Sequence, residues 1–232
     1  PTGTFNITVT GSPLSRTTSF NLTVNVPAAS ITASCSADKT RATLNESVKW
    51  SAAASGGSNY TYVWGGTAPL AGKTGQQQTV KYTSAGNKTG NVTVSSGGQT
   101  KSVNCSNAVD VYTPALDVSP SAGDIKVDET KQFAVDYYPY SLTITTVKQD
   151  VTTSASWSSF NSSSVASVNN TNAKGLVKGL KIGTADIYAN YTDVYGNLIS
   201  TSVNSGTTAA VKVSPPALLE VSIKTYPNSP GA

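Results

Sequence analysis

Along most of the chain, apolar and polar positions alternate with a period of two. The runs are rich in β-branched and aromatic residues and are broken by Gly, Asn, Ser and Pro. That period sets successive side chains on opposite faces of a strand, and many short runs with turn residues between them predict an all-β architecture of sandwiches. Phe5, Ile7 and Val9, then Phe20, Leu22, Val24 and Val26, flank Gly11-Ser12-Pro13. They predict a hairpin, and two strands alone bury too little to stand by themselves. Residues 1–27 are therefore read as the last two strands of a preceding module.

A second module is expected over residues 28–112. Its six runs place Ile31, Ala33 and Cys35 on one face, followed by Val48, Trp50 and Ala52, Tyr60, Tyr62 and Trp64, Val80 and Tyr82, Val92 and Val94, and Val103 and Cys105. Gly56-Gly57, Gly65-Gly66, Gly86-Asn87 and Gly97-Gly98 mark turns between them. Cys35 and Cys105 fall in the first and last of these runs with inward parity. A disulfide between neighbouring terminal strands is expected, with free buried thiols as the alternative. A third module is expected over residues 113–214, where Phe133, Val135 and Tyr137, Ala155 and Trp157, Ala185, Ile187, Ala189 and Tyr191, and Ala209, Val211 and Val213 alternate inward. Beyond Pro215-Pro216, residues 215–232 read as a linker and the first strand of a following module, with Leu219, Val221 and Ile223 alternating.

Two resemblances refine this outline. Ser34-Cys35-Ser36, Ser47-Val48-Lys49-Trp50-Ser51-Ala52, Ala54-Ser55-Gly56-Gly57, Tyr60-Thr61-Tyr62-Val63-Trp64, Tyr82-Thr83-Ser84-Ala85-Gly86 and Val92-Thr93-Val94 resemble the polycystic-kidney-disease (PKD)-like modules of microbial surface proteins. Where the best-known members carry a tryptophan-aspartate-phenylalanine-glycine-aspartate stretch, Trp64-Gly65-Gly66 stands instead. Leu116-Asp117-Val118-Ser119-Pro120, Asp128-Glu129-Thr130-Lys131-Gln132-Phe133, Asp150-Val151-Thr152, Ser156-Trp157-Ser158-Ser159, Ser164-Val165-Ala166-Ser167-Val168, Gly175-Leu176-Val177-Lys178-Gly179-Leu180 and Gly183-Thr184-Ala185-Asp186-Ile187 resemble a group 2 bacterial immunoglobulin-like domain. This second resemblance implies an immunoglobulin-like β-sandwich of adhesins and surface-layer or cell-wall proteins, and it implies no catalytic residues. The stretch from Tyr138-Pro139-Tyr140 through Lys148 is longer than that family usually carries. It is read as an extended hairpin, or as a carrier of contacts particular to this protein.

Composition narrows the function. Charged residues are 12% of the chain, and Ser and Thr fill 64 of 232 positions. The formal charge is +4, yet the 16 Lys and Arg are dispersed, with Lys174, Lys178 and Lys181 the nearest approach to a cluster. Nucleic-acid binding concentrates basic groups on one face, so no nucleic-acid partner is expected. No run reaches the roughly 18 apolar residues of a membrane-spanning helix. The chain is read as a mature or excised part of a longer polypeptide, with any leader or anchor elsewhere.

The absence of histidine removes the usual catalytic triads, histidine bases and histidine zinc sites. Ser36-Ala37-Asp38-Lys39 fits a Ser-x-x-Lys pattern without its companion motifs. Asp110, Asp117, Asp124 and Asp128 gather near the module boundary but form no Asp-x-Asp-x-Asp run, and are read as solvated carboxylates. Lys49, Lys81 and Lys131, the lysines placed for isopeptide chemistry, have outward parity. No cofactor, metal or catalytic residue is expected.

Sequons stand at Asn6, Asn21, Asn45, Asn59, Asn87, Asn91, Asn104, Asn161, Asn169 and Asn190. These ten exceed by about twofold the number expected by chance from 17 Asn and 64 Ser or Thr. The excess is that of a hydroxyl-rich composition or of a glycosylated surface protein. Tyr138 and Tyr140 have outward parity and are the candidate contacts for a polysaccharide, the alternative being that they cover the hairpin or the module junction. The expectation is an extracellular, cell-surface spacer of tandem immunoglobulin-like modules, whose partners are neighbouring modules or copies of itself. A filament or surface layer assembled by strand exchange, and a polysaccharide-binding accessory module, are the alternatives.

Overall fold

The computed structural model describes residues 3–13, 16–24, 30–160, 163–201 and 209–216, all in strands and their connections. Sequon Asn161 and the strand expected after Pro216 lie outside the described residues.

Strands β1 (Gly3–Gly11) and β2 (Arg16–Val24) pair antiparallel from Gly3↔Val24 to Gly11↔Arg16. Phe5 opposes Leu22 and Ile7 opposes Phe20 in this ladder, so one face is apolar. Phe5, Val9, Phe20 and Leu22 are all about half exposed there.

The next nine strands build a sandwich. They are β3 (Thr32–Ala37), β4 (Arg41–Thr43), β5 (Ser47–Ser55), β6 (Thr61–Gly66), β7 (Gln77–Lys81), β8 (Gly86–Lys88), β9 (Gly90–Ser96), β10 (Gln99–Asn104) and β11 (Val109–Tyr112). One sheet is β3-β5-β7, and the opposite layer is β10-β9-β6 continued by β4-β11-β8. The first strand changes sheets: β3 pairs antiparallel with β5, whereas β4 pairs parallel with β11. Trp50, Trp64, Val48, Val92 and Val94 are fully buried between the layers, joined by Leu70 from the β6–β7 connection. Gly90 is required where it stands, because a Cβ there would meet the Trp50 ring at 2.7 Å.

A second sandwich repeats the plan with β12 (Ala115–Ser119), β13 (Ala122–Lys126), β14 (Thr130–Gln132), β15 (Ala134–Tyr138), β16 (Gln149–Asp150), β17 (Ser156–Phe160), β18 (Ala166–Val168), β19 (Leu176–Gly179), β20 (Gly183–Thr192), β21 (Leu198–Ser200) and β22 (Ala209–Ser214). Again the first strand switches, with β12 antiparallel to β15 and β13 parallel to β22. The sheet β13-β22-β20-β17 faces the β12-β15-β16 and β14-β19-β18 ladders across Phe133, Val135, Trp157, Val177 and Ile187. The Asp150-Val151-Thr152 run anchors this core. The Val151 backbone N–H donates to the Val135 carbonyl, the Thr152 hydroxyl accepts from the Val135 N–H, and the Trp157 indole donates to the Thr152 carbonyl at 3.0 Å. The two cores share no residue.

The inward parity read from the sequence holds for most positions in both sandwiches, while Ala33, Tyr60, Val103, Cys105 and Tyr191 are half-buried against the cores. The strand count does not. Three-residue strands such as β4 and β8 carry no alternation to be read, and Cys105 lies one residue beyond β10 rather than in a final strand.

Candidate functional site: the junction between the sandwiches

Only Thr113 and Pro114 separate β11 from β12. So short a connection presses the end of one sandwich against the start of the next, and the groups that meet there are mostly polar.

On the first sandwich, β4 turns into β5 through Thr43-Leu44-Asn45-Glu46. Asn45 has φ +61°, a left-handed conformation that Asn tolerates better than most residues. The turn closes by the Glu46 N–H donating to the Thr43 carbonyl at 3.2 Å, while the Glu46 carboxylate accepts from the Thr43 N–H at 3.0 Å. Glu46 also pairs with Lys39 at 2.7 Å. Burial opposes the charge on Lys39, yet the hydrogen bond and charge of Glu46 prevail and raise its pKa. The Leu44 N–H donates to the Tyr112 carbonyl, tying this turn to the last residue before the linker.

On the second sandwich, β20 and β21 are joined by Asp193-Val194-Tyr195-Gly196-Asn197. Asp193 is 6% exposed, and a buried carboxylate is tolerable only when its lone pairs are filled. Here it accepts from the N–H groups of Tyr195 and Asn197 at 2.9 Å each, from the Asn197 side-chain amide at 2.8 Å and from the Tyr137 hydroxyl at 2.9 Å. Burial first, and then the Asp193 carboxylate, push the Tyr137 pKa well above the usual tyrosine range.

Asn197 carries this network across the junction. Its Oδ1 accepts from Asn45 Nδ2 at 2.7 Å, and its Nδ2 donates to the Leu44 carbonyl at 2.8 Å. The two amides thus satisfy one another and a main-chain carbonyl in a specific register. Tyr195 belongs to the same contact: burial and then the Glu46 carboxylate raise its pKa, with Lys39 opposing. On another side the Tyr140 ring meets Tyr112 edge-on, with centroids 5.8 Å apart. The hairpin that presents Tyr140 is held at its base by Lys148 and Asp136 at 2.6 Å. A groove of ≈ 540 Å³ lined by Ala85, Gly86, Asn87, Asp110, Tyr112 and Ser141 opens beside this pair.

Several sequence expectations change here. Tyr138 is not an exposed contact: it is 7% exposed, at the end of β15 opposite Ala115, the residue that follows the linker. Tyr140 is half-buried against Tyr112. Neither Asp193 nor Asn197 was singled out by the sequence. The Asp-x-x-Gly-Asn turn that holds them is a recognisable signal, but its partner lies 152 residues away.

Cys35 and Cys105 are joined, with Cα atoms 4.5 Å apart. Of the sequons, Asn6 and Asn21 are exposed and directly opposite each other on β1 and β2. Asn59, Asn87 and Asn104 are exposed, and Asn87 donates to Asp110. Asn91, Asn169 and Asn190 are half-buried, and Asn45 is engaged in the junction. The four boundary aspartates are not brought together. Asp110 is partnered by Asn87, Asp128 pairs with Lys178, Asp117 opposes Asp136 in register, and Asp124 lies on β13. Burial and the neighbouring Asp136 raise the Asp117 pKa, with Lys148 opposing. Among the described residues, no group of three or more His, Cys, Asp or Glu is placed to hold a metal.

The chain is an all-β tandem of immunoglobulin-like sandwiches. No family model matches it, and no curated protein does. Among solved structures it is similar to the C-terminal 282-residue fragment of intimin in complex with the intimin-binding domain of the translocated intimin receptor, at 17% identity and TM-score 0.29, over 75% of this chain and 64% of that one. It is similar to domains 1–6 of the surface-layer protein SbsC, at 13% identity and TM-score 0.41, over 94% of this chain and 36% of that one. It is also similar to the N-terminal eight immunoglobulin domains of the Down syndrome cell adhesion molecule, at 13% identity and TM-score 0.33, over 93% and 28% of the respective chains.

Proposed function

We propose that the chain is a rigid spacer region of an extracellular cell-surface protein, built from tandem immunoglobulin-like modules and performing no catalysis. Within it, residues 28–112 are a PKD-like module, residues 113–214 a group 2 bacterial immunoglobulin-like module, and residues 1–27 and 215–232 parts of the neighbouring modules. The observation that carries the spacer reading is the Asn45–Asn197–Asp193–Tyr137 network across a two-residue linker. Free domain motion is the default for modules joined by small polar contacts. A buried carboxylate with four donors, one of them an amide that bridges to the other sandwich, instead fixes a single orientation. The disulfide fits an oxidising compartment, and the exposed sequons fit a glycosylated surface.

Small-angle X-ray scattering of the 232-residue chain tests this. One inter-sandwich orientation should fit the curve, and Asn197→Ala should broaden it into an ensemble without unfolding either core. A wild-type curve that needs many orientations would overturn the spacer reading.

The apolar face of β1 and β2 favours a second reading, in which copies of the chain complete that hairpin by strand exchange. Mass measurement over a range of concentrations separates the two. Polymers abolished by deleting residues 217–232 would favour the filament, and a monodisperse monomer favours the spacer.

A further inference from the structure

The turn that docks the first sandwich onto the second occurs again at the far end of the second. Lys126-Val127-Asp128-Glu129 leads from β13 toward β14 just as Thr43-Leu44-Asn45-Glu46 leads from β4 to β5. Asp128 has φ +68°, matching Asn45. The Glu129 N–H donates to the Lys126 carbonyl and the Glu129 carboxylate accepts from the Lys126 N–H, repeating both bonds of the first turn. The Asp128 N–H donates to the Gly179 carbonyl as the Asn45 N–H does to that of Tyr82. Finally, the Val127 N–H donates to the Ser214 carbonyl as that of Leu44 does to Tyr112. Ser214 thus occupies the place from which the first sandwich passes into its linker.

Sequence continues the correspondence. After β11 comes Pro114-Ala115-Leu116-Asp117-Val118-Ser119, and after β22 comes Pro216-Ala217-Leu218-Leu219-Glu220-Val221-Ser222, the same run with one leucine inserted and Glu for Asp. Equating Tyr82 with Gly179 equates the loop Thr83-Ser84-Ala85 with Leu180-Lys181-Ile182. Each loop ends at a glycine of positive φ that opens the next strand. Ala85 and Gly86 border the junction groove. Their counterparts are more apolar and stand exposed, Leu180 at 42% and Ile182 at 58%. Neither belongs to the core of the second sandwich.

We infer that the end of the second sandwich formed by Val127, Asp128, Leu180 and Ile182 is a second junction surface, which docks the near end of a further immunoglobulin-like sandwich carried on the same polypeptide beyond Ser214. The inference rests on the spacer reading and adds a specific surface to it. This junction differs from the first in chemistry. Aliphatic side chains replace Thr83 and Ala85, and Asp128, paired with Lys178 at 3.0 Å, replaces the amide of Asn45. The incoming module is therefore expected to present an apolar patch with a hydrogen-bond donor opposite Asp128.

Hydroxyl-radical footprinting of the native polypeptide against the 232-residue chain tests it. Leu180 and Ile182 should be modified several-fold more slowly in the native polypeptide, while Val194, 86% exposed at the first junction, is modified equally in both. Equal rates at Leu180 and Ile182 would overturn the inference. In the native polypeptide, Leu180→Lys together with Ile182→Lys should increase bending at this one point in electron micrographs, and unchanged straightness would count against docking. Either failure leaves the scattering test of the first junction untouched, so the two proposals fall separately.

Discussion

Asp193 is the residue on which the junction depends. Asp193→Ala strips partners from the Tyr137 hydroxyl, two backbone N–H groups and the Asn197 amide at once. Leaving buried donors unpaired costs about 1–3 kcal/mol each when they stay dry, and less where water reaches them. We expect a loss of about 2–4 kcal/mol in the denaturant stability of the second sandwich, with Asn197→Ala costing less because, besides the bridging contact, it removes only one of the four donors to Asp193. Tyr137 makes the same network pH-dependent. The unfolded chain releases the tyrosine proton near pH ~10, and the folded chain holds it to higher pH. The stabilisation is therefore complete below about pH 10 and declines as pH rises above that value. Tyr137→Phe should flatten the alkaline limb of a stability-versus-pH curve, and an unchanged limb would assign that limb to another group. Asn45 makes a modification prediction at this scale. Its amide is engaged by Asn197, so glycopeptide mapping of native material should find Asn45 bare where Asn59, Asn87 and Asn104 carry glycan. A glycan on Asn45 would mean that the junction is open when the sugar is added.

At the scale of strands, the alternation of apolar residues reports which side of a sheet a residue occupies, and that much was legible. Val48, Trp50 and Ala52 on β5, and Phe133 at the β14–β15 break with Val135 and Tyr137 on β15, are buried as their parity requires. Parity does not report what covers the outer side. Tyr138 is buried despite its outward position, at the end of β15 opposite Ala115, the residue that follows the linker. Nor does parity register a strand of three residues, so the switch from β3 to β4, which defines the topology, leaves no trace in the alternation. Long-range polar contacts such as Asn45 with Asn197 leave no periodic trace. The Asp150-Val151-Thr152 run, by contrast, stands out in the sequence as a motif, and in the fold it supports Trp157. Trp157→Ala should cost about 3–5 kcal/mol by emptying a large buried site. Gly175→Ala should be comparably severe, since φ is +79° and a Cβ would collide with the Phe133 carbonyl oxygen. Thermal unfolding of both variants checks these values.

In the whole molecule, each sandwich receives the chain through a strand that lies parallel to the strand by which the chain leaves, β4 beside β11 and β13 beside β22. Tension applied between the ends of such a module slides these two strands past each other, so the rungs of the ladder are loaded together rather than peeled one at a time. The first sandwich has an additional safeguard. Its disulfide closes a segment of 70 residues, which cannot lengthen even after the surrounding strands have parted. Pulled in a force spectrometer, the first sandwich should yield only a short extension, and reduction should release about 240 Å more, from 70 residues at roughly 3.3–3.6 Å each. Under tension the chain would lengthen mainly through its second sandwich, and how far it reaches would depend on the redox state of its surroundings.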